Sequence, residues 1–519
     1  MRPEAAVAQL RAPFPDTDAG FVGLFDSQAR ATPQRSFAIL GGEALSFAAL
    51  DRTSRALGAW LRAKGLGPGD RVALMLRNGE TALSLMLALA RTGSIWVPIN
   101  TQAVGDGLAY VLGHAEPSLI IADSDQLPAL SACGVAAAAR AIAVEDAARE
   151  AARAPASEAL MVVPPADAPF AIMYTSGTTG RPKGVLVSHR MLRLSGEAAA
   201  LVADPSPGDV LYLWEPLFHI GGAQMLVLPL IRDVTLAIAE RFSARGFWTD
   251  VQGKGASHIH FLGGILQILL KQPPGPLDRG HGVRIAWGGG CPVDVWQAFQ
   301  DRFGVEIREC YGMTECSSVT TANLDAPIGS VGKPVPWFDV AVLDAAGRPV
   351  APGVRGEMVV TERLGGALTR GYFKDGDATA RAFRAQAFLT GDLVSYDSDG
   401  NYYFHGRMTD SVRVRGENVT ALEVESVART HPAVEDCAMI GVAAEVGEAE
   451  IKLFVTLRQG VELEPQELSA WLADRLPRYQ RPRYITVLDA FERTPSARIM
   501  KHALSRRTDD CWDLAAVGI

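Results

Sequence analysis

Apolar runs of strand length alternate with helical patterns up to about residue 400. Val72-Ala73-Leu74-Met75-Leu76, Leu119-Ile120-Ile121-Ala122 and Phe170-Ala171-Ile172-Met173-Tyr174 read as buried strands. Such alternation predicts α/β layers around largely buried sheets. After Val185-Leu186-Val187, the residues Met191, Leu194, Ala198 and Leu201 fall on one face of a predicted helix. The last hundred or so residues read differently. Two strand-like runs, Val434 to Val442 and Ile451 to Leu457, precede a helix whose Leu468, Trp471, Leu472 and Leu476 share one face. The charged, turn-rich stretch from Gly406 to Gly416 separates the two regimes. The pattern therefore predicts a large N-terminal domain over residues 1–408 and a small α+β domain over 409–519. An Ala-rich patch at 136–160 reads as helix with a loose connection.

A chain of 519 residues exceeds what one core usually serves, in keeping with two domains. A net charge of −8 argues against nucleic acid as a partner, which calls for a basic face, and against a polybasic membrane surface. The most apolar stretch, Ile220 to Ala239, is interrupted by Pro229, Arg232 and Asp233, so no membrane span is expected. No apolar segment follows Met1-Arg2-Pro3-Glu4, so no secretory signal is read. The six cysteines form no CxxC pair, which disfavours a disulfide scaffold or structural zinc. A cytoplasmic location is the expectation.

The sharpest local feature is Tyr174-Thr175-Ser176-Gly177-Thr178-Thr179-Gly180-Arg181-Pro182-Lys183-Gly184. Hydroxyls, glycines and a lysine on a loop that follows a strand can cradle phosphate oxygens, with N–H and O–H groups donating and the cation neutralising. It is not a Walker A loop, because Gly184 rather than Ser or Thr follows the lysine. His258-x-His260 lies in an apolar run without a third ligand and supports no metal assignment.

This string resembles the signature phosphate loop of the adenylate-forming superfamily, and the resemblance continues in the family's order along the chain. Gly67-Pro68-Gly69-Asp70-Arg71-Val72 and Gly93-Ser94-Ile95-Trp96-Val97-Pro98 resemble its early core segments, and Pro216-Leu217-Phe218-His219 its aromatic–histidine segment. Gly288-Gly289-Gly290-Cys291-Pro292 and Tyr311-Gly312-Met313-Thr314-Glu315 resemble the adenosine-binding segments. Thr390-Gly391-Asp392 and Gly406-Arg407-Met408-Thr409-Asp410 resemble the ribose-binding and hinge motifs. The acyl-CoA synthetase branch fits best.

The resemblance implies ATP or AMP (as acyl-adenylate), coenzyme A and Mg²⁺ as cofactors, and a carboxylic acid as substrate. It further implies that Asp392 accepts hydrogen bonds from the ribose hydroxyls with Arg407 nearby, and that Tyr311 faces the adenine beside Gly289, Gly290 and Gly312. Thr175, Ser176, Gly177, Thr178, Thr179, Gly180, Lys183 and Thr314 would surround the phosphates, and Glu315 would hold Mg²⁺. Phe218, His219, Gly222 and Gly288 would line the acyl pocket, with His219 at its junction with the carboxylate. The small domain would rotate about Thr409 between an adenylating and a thioester-forming pose.

The C-terminus departs from the pattern. Where the family carries a stretch resembling Arg-Thr-Pro-Ser-Gly-Lys, whose lysine serves adenylation, this chain has Arg493-Thr494-Pro495-Ser496-Ala497-Arg498. Lys501 lies three places further on. A planar guanidinium places its donors differently from a compact ammonium. One missing transition-state donor typically costs ~3–4 kcal/mol, a hundred- to a thousandfold in rate. Two expectations follow: a ligase with a weakened adenylation half supplied by a separate adenylating enzyme, or an ordinary two-step synthetase in which Arg498 or Lys501 does the work. Transfer to a carrier protein and a non-catalytic adenylate sensor are the rival readings. Glycines beside the pocket, with Phe218 and Met225, suggest a bulky, largely apolar acid; Trp214 to His219 lacks the Phe-Asp pair of amino-acid adenylation.

Overall fold

The computed structural model describes residues 20–153, 161–175, 181–414, 417–444, 449–494 and 498–517. It is a mixed α/β structure that divides into two compact units. The larger comprises the described residues up to Asp339 together with Val360–Phe388, and the smaller comprises Val340–Val359 together with the described residues from Leu389 onward.

Two sheets organise the larger unit. One has six strands in the order Ile142–Ala143, Leu119–Ala122, Arg71–Met75, Ile95–Pro98, Pro169–Thr175 and Lys183–Ser188. Its neighbours run parallel except for the last pair, a hairpin whose register places Thr175 opposite Lys183. The other has nine strands, with Glu306–Tyr311, Ile285–Gly289, His258–Leu262, Val210–Leu213, Thr235–Ile238 and Ser36–Leu40 forming a parallel centre. Parallel strands are covered on both faces, which is why the sequence runs are continuously apolar rather than alternating.

The helix His189–Ala203 touches strands of both sheets. The sequence marks one apolar face on it, yet it is buried nearly all round, His189, Arg193 and Ser195 included. A helix enclosed between layers has no solvent face, so its polar residues must find partners inside. Ser188 caps its start by accepting from the Met191 N–H at 3.1 Å, an interaction worth about 1 kcal/mol. The apolar stretch from Ile220 breaks into the short helices Ile220–Ala223 and Leu228–Ile231 before the strand Thr235–Ile238. No helix among the described residues is long and apolar enough to cross a membrane. The Ala-rich patch holds a single turn of helix at Ala138–Arg140, the strand Ile142–Ala143 and the helix Val144–Ala151; 154–160 lie outside the described residues.

In the smaller unit, a four-stranded sheet runs Val434–Val442, Glu450–Leu457, Tyr484–Leu488 and Trp512–Asp513. The helices Ala421–Arg429 and Pro465–Ala473 bury Val424, Leu468 and Leu472 in one core with Met439, Leu453 and Val455. Leu476 joins that core from beyond the helix end. Thr420 and Glu423 form a reciprocal capping box at the first of these helices. The stretch read as turn-rich contains an antiparallel pair, Ser411–Val414 with Glu417–Thr420. Val412, Val414 and Val419 are buried in the same core, a period of two that the flanking charges obscure. Upstream, Tyr402–Arg407 pairs with Ala387–Tyr396 so that Asp392 stands opposite Arg407. Thr409 falls within the short helical turn Met408–Asp410.

Candidate active site

The hairpin of Pro169–Thr175 and Lys183–Ser188 brings Thr175 and Lys183 together at the two ends of the phosphate-loop sequence. Ser176, Gly177, Thr178, Thr179 and Gly180 lie outside the described residues. Both ends are anchored to one helix, Gly105–Ala115. The Tyr174 hydroxyl is 2.7 Å from His114 Nδ1, the Arg181 guanidinium lies over the Tyr110 ring, and Tyr110 stacks on His114. Burial raises the Tyr174 phenol and, together with Lys374, lowers the His114 imidazole, so both groups sit here in their neutral forms near neutral pH. Gly184 is required by packing: a Cβ there would lie 2.7 Å from Ile172 and 3.3 Å from the Tyr174 ring.

Tyr372 links this hairpin to the Thr314–Glu315 turn. The Lys183 ammonium lies 5.0 Å from the centre of the Tyr372 ring, and the Tyr372 hydroxyl donates to Glu315 Oε1 at 3.1 Å. The backbone repeats the link, with Phe373 N–H donating to Gly184 and Thr369 N–H donating to the Glu315 carbonyl. Thr314 and Glu315 are buried in the single helical turn Thr314–Cys316, and the two residues after that turn, Ser317 and Ser318, adopt positive φ of 49° and 71°. Two consecutive non-glycine residues in that region are strained, and such strain concentrates at functional sites. Ser317 holds its position by donating to the Ala367 carbonyl at 2.6 Å. Gly312 is fixed by close approach, because a Cβ would sit 1.8 Å from the Ser318 carbonyl oxygen.

The glycine turn follows the strand Ile285–Gly289, next to Glu306–Tyr311. A Cβ on Gly288 would meet the Phe261 carbonyl at 1.9 Å, and one on Gly289 would meet that of Cys310 at 2.9 Å. Glu309 ties the turn down: its Oε1 accepts from Gly290 N–H at 2.6 Å, and its Oε2 from Cys291 N–H at 3.1 Å. Burial pushes this carboxyl up to about 8, against the two amides that favour its anion.

Phe218 and His219 sit with ring centres 4.9 Å apart at the start of the helix Ile220–Ala223. Gly222 lies so close to Pro216 that a Cβ would come 2.3 Å from its carbonyl oxygen. Asn78 clamps this segment: its amide donates to Glu215 and Ala239 carbonyls at 2.8 and 3.2 Å, and its oxygen accepts from Leu217 N–H at 3.0 Å. Leu74, Met86, Trp96 and Leu217 surround a small apolar cavity with Phe218. A cleft of about 650 Å³ also reaches Asn78, but its main charges are already paired, Arg77 with Asp123 and Lys254 with Asp250.

Within the smaller unit, Arg407 Nε lies 2.8 Å from Asp392 Oδ1. Asp392 is buried while Arg407 is 39% exposed, so the cation is presented outward from its partner. Arg498 is exposed, and its backbone closes a loop through Thr494, whose N–H donates to the Arg498 carbonyl at 2.8 Å. Lys501 is engaged: its Nζ is 2.8 Å from Glu425 Oε1 and 3.5 Å from Asp410 Oδ2. Burial works against its charge, but the two carboxylates outweigh it and raise its pKa.

The structure thus groups Thr175, Lys183, Thr314 and Glu315 through Tyr372, and groups Asp392 with Arg407. Tyr372, Asn78 and Glu309 were not legible as site residues. Asn78 alone had a signal, since it follows the C-terminal end of a parallel strand, where α/β sheets bind ligands.

The family model described as AMP-binding enzyme matches residues 25–373, and that of the AMP-binding enzyme C-terminal domain matches 423–498. The chain belongs to the AMP-binding enzyme family, as an acid–thiol ligase that forms an acyl-CoA by way of an acyl-adenylate. It is 31% identical to the medium/long-chain-fatty-acid–CoA ligase FadD6 of Mycobacterium tuberculosis, over 94% of this chain and 85% of that one. Identity to the sulfoacetate–CoA ligase of Cupriavidus necator is 32%, over 89% and 92% of the two chains. Its fold superposes on o-succinylbenzoate CoA synthetase (MenE) from Bacillus subtilis, in complex with its acyl-adenylate intermediate, with a TM-score of 0.83. That match has 25% identity and covers 93% of this chain and 97% of the other.

Proposed function

We propose that this ligase is weighted towards its second half-reaction: it makes the acyl-CoA thioester from an acyl-adenylate and adenylates the free acid poorly. The observation that carries the reading is the pair Arg498 and Lys501. Arg498 occupies the position of the family's adenylating lysine, and the next lysine is held by Glu425 and Asp410. For Lys501 to replace the missing ammonium, it must leave a partly buried ion pair, and separating such a pair is costly. A separate adenylating enzyme would supply the intermediate. An ordinary two-step synthetase is the alternative, with Arg498 donating in the lysine's stead.

The remaining roles are those the family resemblance implies. Thr175, Lys183 and Thr314, with the loop 176–180, neutralise and orient the phosphates. Glu315 fits Mg²⁺, being a hard oxygen donor in a buried turn beside the hydroxyl of Thr314; the ion would offset phosphate charge there. Tyr311 takes the adenine against Gly289, Gly290 and Gly312, and Asp392 takes the ribose hydroxyls with Arg407 beside it. Gly312 and Gly288 admit backbone where any side chain would collide. His219 stands between the acyl pocket of Phe218, Gly222 and Gly288 and the carboxylate, and Thr409 serves as the hinge between residues 1–408 and 409–519. Neither half-reaction needs a covalent protein intermediate, so positioned donors supply the rate. Relatives named as fatty-acid–CoA ligase and feruloyl-CoA synthase support a largely apolar acid, the sulfoacetate–CoA ligase does not, and all three support coenzyme A as the acceptor.

The test is pyrophosphate release from ATP and a panel of acids, compared between wild type and Arg498→Lys. A rise of at least tenfold in the variant supports the reading. Wild-type release at the variant's rate would show that Arg498 suffices.

A further inference from the structure

Glu215 immediately precedes the Pro216–His219 segment and is 2% exposed. His260, on the strand His258–Leu262, places Nδ1 2.7 Å from Glu215 Oε2 and is 3% exposed. Neither Glu215 oxygen accepts a hydrogen bond from any described residue, despite the close approach of His260 Nδ1. A carboxylate has about four acceptor positions, and leaving them empty in the interior is expensive.

The surroundings keep this pair next to the acyl-pocket residues. A Cβ on Gly221 would lie 2.9 Å from Glu215 Oε2, so glycine lets the helix Ile220–Ala223 pack directly against the carboxylate. His260 stands in register with Trp287, immediately before Gly288, and the two rings meet edge-on at 4.2 Å. Trp287 Nε1–H is itself buried without an acceptor among the described residues. The Cys310 thiol is raised by burial and by the nearby carboxylates of Glu309 and Glu215. Two acidic groups and one imidazole leave the region poor in positive charge.

We propose that Glu215, supported by His260, forms a polar end of the acyl pocket and selects an acid whose acyl part carries a hydrogen-bond donor, a hydroxyl or an ammonium. The proposal rests on the acyl-pocket reading above and narrows it: the acid is largely apolar but bears one donor, which supplies the hydrogen bond that Glu215 lacks. A second carboxylate on the substrate is excluded by like charge. A site built to bond a donor rejects the analogue lacking it far more strongly than an apolar pocket rejects an added group.

The test uses the full chain with synthetic acyl-adenylates and coenzyme A. Hexanoyl, octanoyl, decanoyl and phenylpropanoyl chains are each supplied plain, hydroxylated, aminated or carboxylated at the far end. In parallel, binding of the matching acyl-sulfamoyl adenosines is measured by calorimetry. The expected result at the best-fitting length is a preference of about tenfold or more for a donor-bearing chain over the plain one, with the carboxylated chain worst. Glu215→Leu reverses that order, whereas Glu215→Gln, which keeps the shape, retains hydroxyl preference and loses the exclusion of carboxylate. Melting temperatures of both variants report folding. Equal or better use and binding of the plain chain at every length, or an unchanged preference in both folded variants, overturns the proposal. Absence of thioester from every adenylate, with donor-bearing analogues still bound more tightly, would instead sink the ligase-pocket assignment and leave the selectivity of Glu215 standing.

Discussion

Lys501 Nζ lies 2.8 Å from Oε1 of Glu425, a carboxylate that also accepts from the Met439 N–H at 2.7 Å. Glu425 sits on the helix Ala421–Arg429, so Lys501 is fastened to the core of the smaller unit rather than to a loose terminal loop. On the proposed reading Arg498, and not Lys501, stands in for the family's adenylating lysine. Replacing Arg498 by Lys is expected to raise adenylation ten- to a thousandfold, the span that one positioned donor commands, while thioester formation from adenylate changes less than about threefold. Lys501→Ala should lower the melting temperature of the smaller unit and leave any residual adenylation in place. Loss of adenylation in Lys501→Ala would identify Lys501 as the working lysine after all.

Tyr372→Phe removes the hydroxyl that Glu315 accepts from while keeping the ring beside Lys183. A hydrogen bond to a charged group contributes about 1.5–3 kcal/mol, so kcat/KM should fall roughly ten- to a hundredfold. The Mg²⁺ concentration needed for half-maximal rate should rise. An unchanged Mg²⁺ dependence would place Glu315 elsewhere in the chemistry.

Gly312→Ala pushes a methyl to within 1.8 Å of the Ser318 carbonyl, against a segment already at positive φ. Nucleotide affinity should be lost, and stability should drop by about 1–3 kcal/mol as the backbone gives way. Gly253→Ala is the control, because nothing lies within 4 Å of its added Cβ. It should be neutral or slightly stabilising. Denaturant titration with an adenylate analogue present and absent separates the two effects.

How much of this was readable beforehand depended on distance along the chain. The strands Leu119–Ala122 and Val434–Val442 match their apolar runs because local burial and pattern agree. The pair Ser411–Val414 and Glu417–Thr420 was missed, since its charged residues masked the alternation of Val412 and Val414. Tyr372 was beyond reach, and Asn78 was marked only by its place after a strand end: they meet Glu315 and Leu217 across sequence separations of 57 and 139, and no local period announces such contacts. Glu215 and His260 read as ordinary residues until both proved to be buried together.

Acid should weaken the larger unit in a defined window. Burial lowers His189 and His258 to about 4 in the folded protein, against 6.5 for a free imidazole. The unfolded chain therefore binds protons first as pH falls, and stability that is fully present above about 6.5 is lost progressively down to about 4, at about 1.4 kcal/mol per pH unit for each histidine. Glu309 acts oppositely: with its carboxyl raised to about 8, its contribution is lost as pH climbs from 4.5 to 8. Urea midpoints measured across pH 4 to 8 should rise to near 6.5 and then decline, and Glu309→Gln should flatten the decline. A profile that falls from 4.5 to 6.5 instead of rising would mean these histidines are solvated and Glu309 alone is felt.

The most direct test of the central claim is a paired assay on the wild-type protein. One arm supplies carboxylic acids, ATP, Mg²⁺ and coenzyme A; the other supplies the corresponding acyl-adenylates and coenzyme A. Rapid thioester formation is expected in the second arm and at least a hundredfold less in the first, the deficit of one missing transition-state donor. Equal rates in both arms would contradict it and make this an ordinary two-step synthetase in which Arg498 does the work of lysine.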